Sequence, residues 1–179
     1  MRHNIAVAVC MMALAQCPAF SEVVDSAGSG FTVRLTLNIH AAPADVYRKL
    51  VQNIGDWWSP QHTYSGNSHN LSIEEKPMGC FCEKLPGGGS VRHMEVVLLA
   101  PGKLGLIGAL GPLQTIAATG NMSIQLTAAE GGSKLDVAYN VAGYLPAGMN
   151  TWAAPVDTVL TQQFTRLKNY VERGDPAPK

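Results

Sequence analysis

The sequence has 179 residues, with 13 basic and 13 acidic side chains and a formal net charge of +0 at pH 7. It contains no run or stripe of lysine and arginine, which makes nucleic acid and anionic membrane surfaces poor candidates for partners. The length fits one domain that can bury a hydrophobic core.

The N-terminal segment has the layout of a secretory signal peptide. Arg2 is followed by an uncharged apolar run at 5–15, and small residues flank a cleavage site within 19–21. The run is shorter than the ~20 residues that span a bilayer, so we expect no stable membrane insertion. Residues 14–17 resemble a lipoprotein cleavage box less well, because glutamine stands where that box has a small residue. We predict a signal peptide over 1–21 and an exported protein, periplasmic or secreted.

Cleavage at this position leaves few cysteines in the mature chain. Cys10 and Cys17 belong to the predicted signal peptide, so Cys80 and Cys82 remain. Export leads to an oxidising compartment, where a free pair of thiols is less expected. We predict that residues 29–174 form the folded domain.

The domain begins with a strand and a helix. Apolar and polar residues alternate over 31–39, which predicts a strand with one buried face. Pro43 suits the first turn of a helix whose apolar side carries Val46, Tyr47, Leu50 and Val51. The following loop, 52–70, is rich in large rings for its polarity: Trp57, Trp58, His62 and Tyr64.

The rest of the chain predicts more strands and a long helix. Residues 71–75, 98–107, 121–127 and 135–141 carry strand signals and are separated by turn residues. Turns join them in place of crossover helices, so we predict an antiparallel sheet. An apolar stripe from 155 to 173 predicts a long C-terminal helix, after which 175–179 form a polar tail.

A central hairpin brings reactive side chains together around the turn at 86–89. Side chains alternate across a strand, so a regular register places Cys82 opposite His93 and Cys80 opposite Glu95, all on one face. The other face then carries an expected ion pair and two apolar side chains: Glu83 with Arg92, and Phe81 and Met94.

The two cysteines allow three interpretations. Small, soft side chains can simply fill a tight sheet face. Extended residues two apart have α-carbons ~6.6 Å apart, near the upper limit for a disulfide, so a Cys80–Cys82 bond would be labile and suited to redox chemistry. As a weaker alternative, Cys80, Cys82 and His93 could bind zinc with Glu95 or His62 as fourth ligand.

His93 likewise has a structural and a catalytic interpretation. A buried histidine is often a hydrogen-bonded structural residue. As a general base His93 would have Glu95 two residues away on the same face, with Glu95 or Tyr139 as the acid. Both interpretations stay open at this level.

The order of elements predicts an α+β fold. A curved antiparallel sheet of about six to seven strands must cover one face, and the C-terminal helix is the element long enough to do so. The gap between such a sheet and helix is a typical apolar ligand site.

Several short motifs, in this order and spacing, resemble the START-like superfamily, also called SRPBCC. They are Ile39-x-Ala41-x-Pro43-x-x-Val46-Tyr47, Gly55-Asp56-Trp57-Trp58, Gly79-x-Phe81, Ala100-Pro101-Gly102-Lys103-Leu104 and Gly143-Tyr144. The superfamily has the helix-grip fold and includes polyketide cyclases, Bet v 1-type carriers and Hsp90-ATPase-activator-like domains. The last branch fits an exported protein badly.

The resemblance implies a hydrophobic or lipid-like small molecule held between the sheet and the C-terminal helix, with no cofactor. The protein would be a carrier or sensor, or alternatively an enzyme of the polyketide cyclase or dehydratase type. By the same resemblance the aromatic loop covers one end of the cavity, although its tryptophans could equally plug the core. The candidate ligand-binding residues are Trp57, Trp58, His62, Tyr64, Phe81, Cys80, Cys82, His93 and Tyr139.

Overall fold

The computed structural model describes residues 20–178. The predicted signal peptide, with Cys10 and Cys17, lies outside these residues except for its last two positions. None of the described helices is long and apolar enough to cross a membrane.

Eight antiparallel strands form one curved, open sheet. The chain order differs from the sheet order, which is β1-β2-β8-β7-β6-β5-β4-β3. The strands are β1 Phe20–Ala27, β2 Gly30–Ile39, β3 Leu71–Ile73, β4 Cys80–Lys84, β5 Ser90–Ala100, β6 Lys103–Gly108, β7 Ala117–Ala129 and β8 Gly132–Tyr144.

Within residues 20–178, three α-helices lie between and after the strands. α1 (Pro43–Gln52) and α2 (Ile54–Trp57) carry the chain from β2 to the opposite sheet edge at β3. α3 (Ala153–Arg173) ends at Gly174, whose left-handed backbone suits a residue without a β-carbon. The α+β, helix-grip-like architecture predicted from the element order is confirmed.

The core lies between the sheet and α3. The inner sheet face buries alternate residues of β2 and β8, and α3 buries Leu160, Phe164 and Leu167 against them. Complete burial of each such side chain contributes about 1.5–3 kcal/mol. Gln163 is buried on the same helix, where its side-chain oxygen accepts a hydrogen bond from the Ser59 backbone at 2.9 Å and fixes the loop after α2.

One strand was not expected from the sequence. β1 forms the sheet edge beside β2, so the sheet has eight strands where six to seven were predicted. Its side chains at residues 21–27 are mostly exposed, and a register shift between Val23 and Asp25 interrupts its pairing. An exposed edge strand with a bulge lacks the alternation that identifies buried strands.

Candidate functional site

A bulge in β5 decides which side chains of the central hairpin face the core. Cys80 pairs with Glu95 as predicted, and Phe81 pairs with Met94, but Cys82 pairs with Arg92. His93 is therefore an extra residue without a partner on β4. A bulge of this kind bends the strand and redirects the side chain next to it.

The bulge removes His93 from the face that it was predicted to share with Cys80, Cys82 and Glu95. His93 and Met94 are both buried, so two consecutive residues point inward at this position. Cys80, Cys82 and Glu95 lie on the opposite, half-buried face. The expected Glu83–Arg92 ion pair is also absent among the described residues, because Glu83 contacts His93.

Glu83 and His93 form a buried pair at the end of the core. Nε2 of His93 lies 3.0 Å from a carboxylate oxygen of Glu83, and the two side chains are 5% and 0% exposed. The carboxylate also accepts backbone hydrogen bonds from Tyr64 at 3.0 Å and Ser65 at 2.5 Å. A buried carboxylate needs such donors, since burying an unpaired charge is costly.

The environment of the pair fixes its protonation. Burial raises the pKa of Glu83, but hydrogen bonds from Ser65, from the Tyr64 backbone and from His93 outweigh it and keep the pKa below its usual range. Burial lowers the pKa of His93, against the opposing effect of Glu83. At neutral pH, Glu83 is thus ionised and His93 neutral. An ionised carboxylate only accepts hydrogen bonds, so Nε2 carries the proton and Nδ1 is an acceptor.

A row of rings runs from the surface through this pair into the core. Tyr64 stacks on His93 with centroids 5.9 Å apart, and Phe81 lies 5.1 Å from His93. Trp58 contacts Phe81 edge-on at 5.8 Å and Trp57 at 5.4 Å. The packed rings hold the His93 imidazole in one orientation.

A pocket opens beside His93 because β6 is shorter than its neighbours. β6 pairs with β5 only up to Met94 and with β7 only from Gly120, so the first residues of β5 and β7 have no strand between them. We call this opening, between residues 90–93 and 117–119, the strand gap. A short 3-10 helix at Gly111–Thr115 crosses beside it.

The strand gap contains a pocket of about 580 Å³, within the usual range for small-molecule sites. Apolar and polar groups both line it. The apolar side includes Met94 and Ile107, and the polar side includes Arg92 and Gln114. A molecule that fits this lining has an apolar body and at least one polar group.

His93 presents its free nitrogen toward accessible space. Nδ1 of His93 has no hydrogen-bond partner among the described residues. The side-chain amide nitrogen of Gln163 is the one fully buried side-chain N or O atom without a partner in this part of the chain, so Nδ1 is not fully buried. Nδ1 therefore reaches accessible surface, and the pocket that His93 lines is the one in the strand gap. The pocket thus holds an oriented hydrogen-bond acceptor.

Hydrogen bonds fix the loop at the end of β6. The Tyr139 hydroxyl donates to the Gly108 carbonyl at 3.2 Å and accepts from the Leu110 backbone at 3.3 Å. Burial raises the pKa of Tyr139 to about 12, so the hydroxyl stays neutral. On the other side, the Tyr64 hydroxyl donates to the Gly111 carbonyl at 2.9 Å. The loop at residues 108–111, which borders the strand gap, is therefore held by Tyr139 of β8 on one side and by Tyr64 on the other.

The residues predicted as general acids are not close partners of His93. Glu95 makes an ion pair with Arg92 at 2.9 Å on the outer face. Tyr139 binds backbone groups at the far side of the strand gap. His62 contributes its backbone carbonyl to Trp58 at 2.9 Å, and its side chain is half-buried.

The cysteines form a disulfide on the outer face of β4, with α-carbons 5.2 Å apart. Because His93 faces inward, the three residues of the weaker zinc alternative are not brought together. Residues 20–178 contain no group of three histidine, cysteine, aspartate or glutamate side chains arranged to hold a metal ion.

Sequence reasoning missed Glu83 and Gln114. Glu83 was assigned to Arg92 because a regular register was assumed, and Gln114 lies in a segment without periodicity. One signal could have suggested the pair: Glu83 and His93 are polar residues within otherwise apolar faces of two facing strands.

Comparisons with known proteins bear on the fold. No model of a known protein family matches the chain, and neither does any curated protein. Among solved structures, an uncharacterised protein from Rhizobium leguminosarum aligns with a TM-score of 0.60 and 14% identity, covering 88% of this chain and 99% of that one.

Two other similar structures have names. CalU16 from Micromonospora echinospora aligns with a TM-score of 0.52 and 14% identity, over 83% of this chain and 78% of that one. DynU16, from the dynemicin biosynthetic locus, aligns with a TM-score of 0.59 and 17% identity, over 81% of this chain but 48% of that one. This chain thus spans about half the length of DynU16. At these identities the similarity establishes the fold alone.

Proposed function

We propose that the protein binds a small molecule with an apolar body and a hydroxyl group in the strand gap, as a member of the START-like superfamily. The observation that carries the proposal is the buried His93, which Glu83 holds through Nε2 and which lines a pocket of about 580 Å³. The hydroxyl of the ligand donates to Nδ1, and the apolar body rests on Ile107 and Ala118.

The position of the ligand differs from the sequence expectation. Between the sheet and α3, Tyr139, Phe164 and Trp57 are buried and packed. The strand gap offers space together with an unpaired acceptor. Of the candidate ligand-binding residues, His93 makes direct contact, Tyr64 and Phe81 hold its ring, and Tyr139 holds the loop.

A pair of matched probes tests this proposal. 2-Naphthol has an apolar body and a hydroxyl, whereas 2-methoxynaphthalene has the same body without the donor. We expect saturable binding of 2-naphthol, measured by its own fluorescence or by calorimetry, and binding of the ether at least tenfold weaker, about 1.4 kcal/mol. Equal affinity for both probes would exclude recognition through Nδ1.

A histidine variant assigns the binding to the site. His93→Gln keeps a donor for Glu83 but removes the imidazole, and we expect it to bind 2-naphthol at least tenfold more weakly. His69→Gln is the matched control, because His69 lies on the surface beside Asp56 and remote from the pocket lining. Equal loss in both variants would contradict a site at His93.

The same pair supports a second candidate, an enzyme of the cyclase or dehydratase type. A neutral imidazole with a carboxylate on its other nitrogen is the arrangement of a general base: Nδ1 takes a proton from a carbon acid, and Glu83 stabilises the resulting imidazolium. The test is deuterium exchange at the acidic carbon of 2-tetralone in D₂O, followed by NMR. A general base accelerates exchange about 10²–10⁴-fold, and His93→Gln abolishes the acceleration. No acceleration by the wild type would remove this candidate.

Export is part of the proposal. The support is the pattern of residues 1–21, with a charged start, a short apolar run and a small-residue cleavage site. Expression in a Gram-negative host followed by cell fractionation and intact mass measurement tests it. A mature protein in the periplasm that begins near residue 22 is expected, and an uncleaved cytosolic chain would contradict it.

A further inference from the structure

The disulfide lies on β4, the strand that pairs with the β5 residues bordering the strand gap. Phe81, between the two cysteines, points inward and contacts His93, and Glu83 follows Cys82 immediately. The bond therefore constrains the strand segment that carries two of the residues holding His93. Both cysteines are half-buried on the outer face, within reach of a reagent in solution.

The disulfide coincides with the register shift. The α-carbons of Cys80 and Cys82 are 5.2 Å apart, whereas an extended strand places residues two apart at ~6.6 Å. β4 is thus shortened at this step, and the irregularity in its pairing with β5 falls in the same step, between Phe81 and Cys82. A shortened strand favours a bulge in its partner. The partner must place one extra residue outside the pairing if the residues before and after the shortened step are to stay paired.

The regular register of β4 and β5 is an alternative pairing in which Glu83 also has a partner. If β4 extended and the bulge disappeared, Cys82 would face His93 and Glu83 would face Arg92. A shift by one residue sends side chains to the opposite face, so His93 would leave the pocket and Arg92 would turn inward. Glu83 has a cationic or donor partner in both registers, so neither one leaves its charge unpaired.

We propose that Cys80–Cys82 is a thiol–disulfide exchange site whose redox state selects the register and thereby places His93 in or out of the strand gap. A dithiol reductant supplies the electrons. Its thiolate attacks one sulfur of the disulfide, expels the other cysteine as a thiolate and forms a mixed disulfide. Its second thiol, as a thiolate, then attacks its own sulfur in the mixed disulfide and expels the remaining cysteine. The protein gains two electrons and two protons as two thiols, and the reductant becomes a disulfide.

The oxidised form is the binding form. The control of binding rests on the function proposed above, whereas the movement of His93 does not. An oxidising compartment, as predicted from the N-terminal segment, agrees with the disulfide as the resting state and makes reduction the inactivating event.

The test follows His93 and binding separately in the two redox states. The bond is confirmed by mass spectrometry of the peptide with residues 80–82, which is lighter by two hydrogen atoms when oxidised. NMR then records the proximity of the His93 ring to the rings of Phe81 and Tyr64. We expect this ring packing in the oxidised protein, its disappearance after complete reduction with dithiothreitol, its return on reoxidation, and at least tenfold weaker binding of 2-naphthol by the reduced form.

The other possible outcomes separate the register switch from the control of binding. Unchanged ring packing after confirmed reduction overturns the proposal, and so do free thiols in protein purified under air. Ring packing that disappears on reduction while neither form binds 2-naphthol retains the register switch and rejects the proposed function. If His93 leaves the two rings on reduction and yet both states bind 2-naphthol equally, the control of binding is overturned.

A double variant provides the matched control. Cys80→Ser with Cys82→Ser cannot form the bond, so we expect it to resemble the reduced wild type with or without dithiothreitol. Its fold is checked by circular dichroism. Because the wild type alone is compared before and after reduction, the proposal stays testable even if the variant does not fold.

Discussion

Two hairpins of the same sheet differ in the regularity of their strand pairing and in the side chains that they bury. β7 and β8 pair residue by residue from Ala117 to Ala129 without a bulge, and their inner face is continuous core. β4 and β5 pair over five positions and are interrupted by the bulge at His93. Regular register buries apolar side chains, whereas the break in register brings an imidazole into the interior beside the buried carboxylate of Glu83. Function is therefore expected at the irregular hairpin.

The largest expected effect comes from the buried carboxylate. Glu83→Ala leaves His93 and the backbone donors of Tyr64 and Ser65 without an acceptor. We expect the free energy of unfolding, measured by urea denaturation, to fall by about 3–5 kcal/mol, because each of the three donors left without an acceptor costs about 1–3 kcal/mol. Binding of 2-naphthol should be lost as well. Glu130→Ala, in the turn between β7 and β8, is the control, and we expect it to stay within about 0.5 kcal/mol of the wild type. Similar losses in both would remove the distinction between the hairpins.

The same contrast explains what the sequence can predict. Alternation identified the strands that make the core, and the stripe from Pro155 to Arg173 identified α3, because burial on one face imposes a period on the sequence. The bulge has no such signature. Its position coincides with the disulfide and with a buried Glu83 whose partners come from a loop nearly twenty residues away. The face predicted for His93 and the partners predicted for Cys82 and Glu83 were therefore wrong, although the hairpin itself was predicted.

A core substitution in the regular hairpin tests the other side of the comparison. Leu135 is fully buried between Leu37 and Leu126 on the neighbouring strands. Leu135→Ala should lower the free energy of unfolding by about 2–5 kcal/mol through lost burial and a cavity. We expect the affinity for 2-naphthol to change less than threefold, since the strand gap is untouched. A tenfold loss of affinity in folded protein would show that the two regions are coupled.

Acid should destabilise the irregular hairpin in two stages. The pKa of His93 lies below its ordinary value of 6.5 in the folded state, so the unfolded chain binds a proton first and stability falls as the pH drops below that value. The pKa of Glu83 is also lowered, so its contribution is present above 4.5 and is lost as the pH falls through the folded value. Urea denaturation across this range measures both stages. His93→Gln should lack the upper stage, and an unchanged profile would contradict a buried neutral His93.

The smallest expected effect concerns the loop that borders the strand gap. The Tyr64 hydroxyl bonds the Gly111 carbonyl and lies 3.3 Å from the side-chain oxygen of Gln114, while Tyr64 as a whole is 48% exposed. Tyr64→Phe keeps the stacking on His93 and removes the hydroxyl, so the unfolding free energy should fall by only about 0.5–1 kcal/mol. Hydrogen exchange at residues 111–115 should become faster, because the loop loses its bond to Tyr64, whose backbone is in turn bound to Glu83 of the irregular hairpin.

Tyr144→Phe is the matched control for this loss. Tyr144 is 72% exposed at the end of β8, and its hydroxyl has no partner among the described residues. We expect no change in its stability or in exchange at 111–115. If Tyr64→Phe leaves exchange there unaltered as well, the Tyr64 hydroxyl does not hold this loop. The loop would then depend on Gln114, whose side-chain amide donates to the Arg92 carbonyl at 3.1 Å, and on Tyr139, which bonds Leu110. One of these anchors lies on each hairpin, because Arg92 is on β5 and Tyr139 on β8, so the division between the two regions would be less sharp than their pairing suggests.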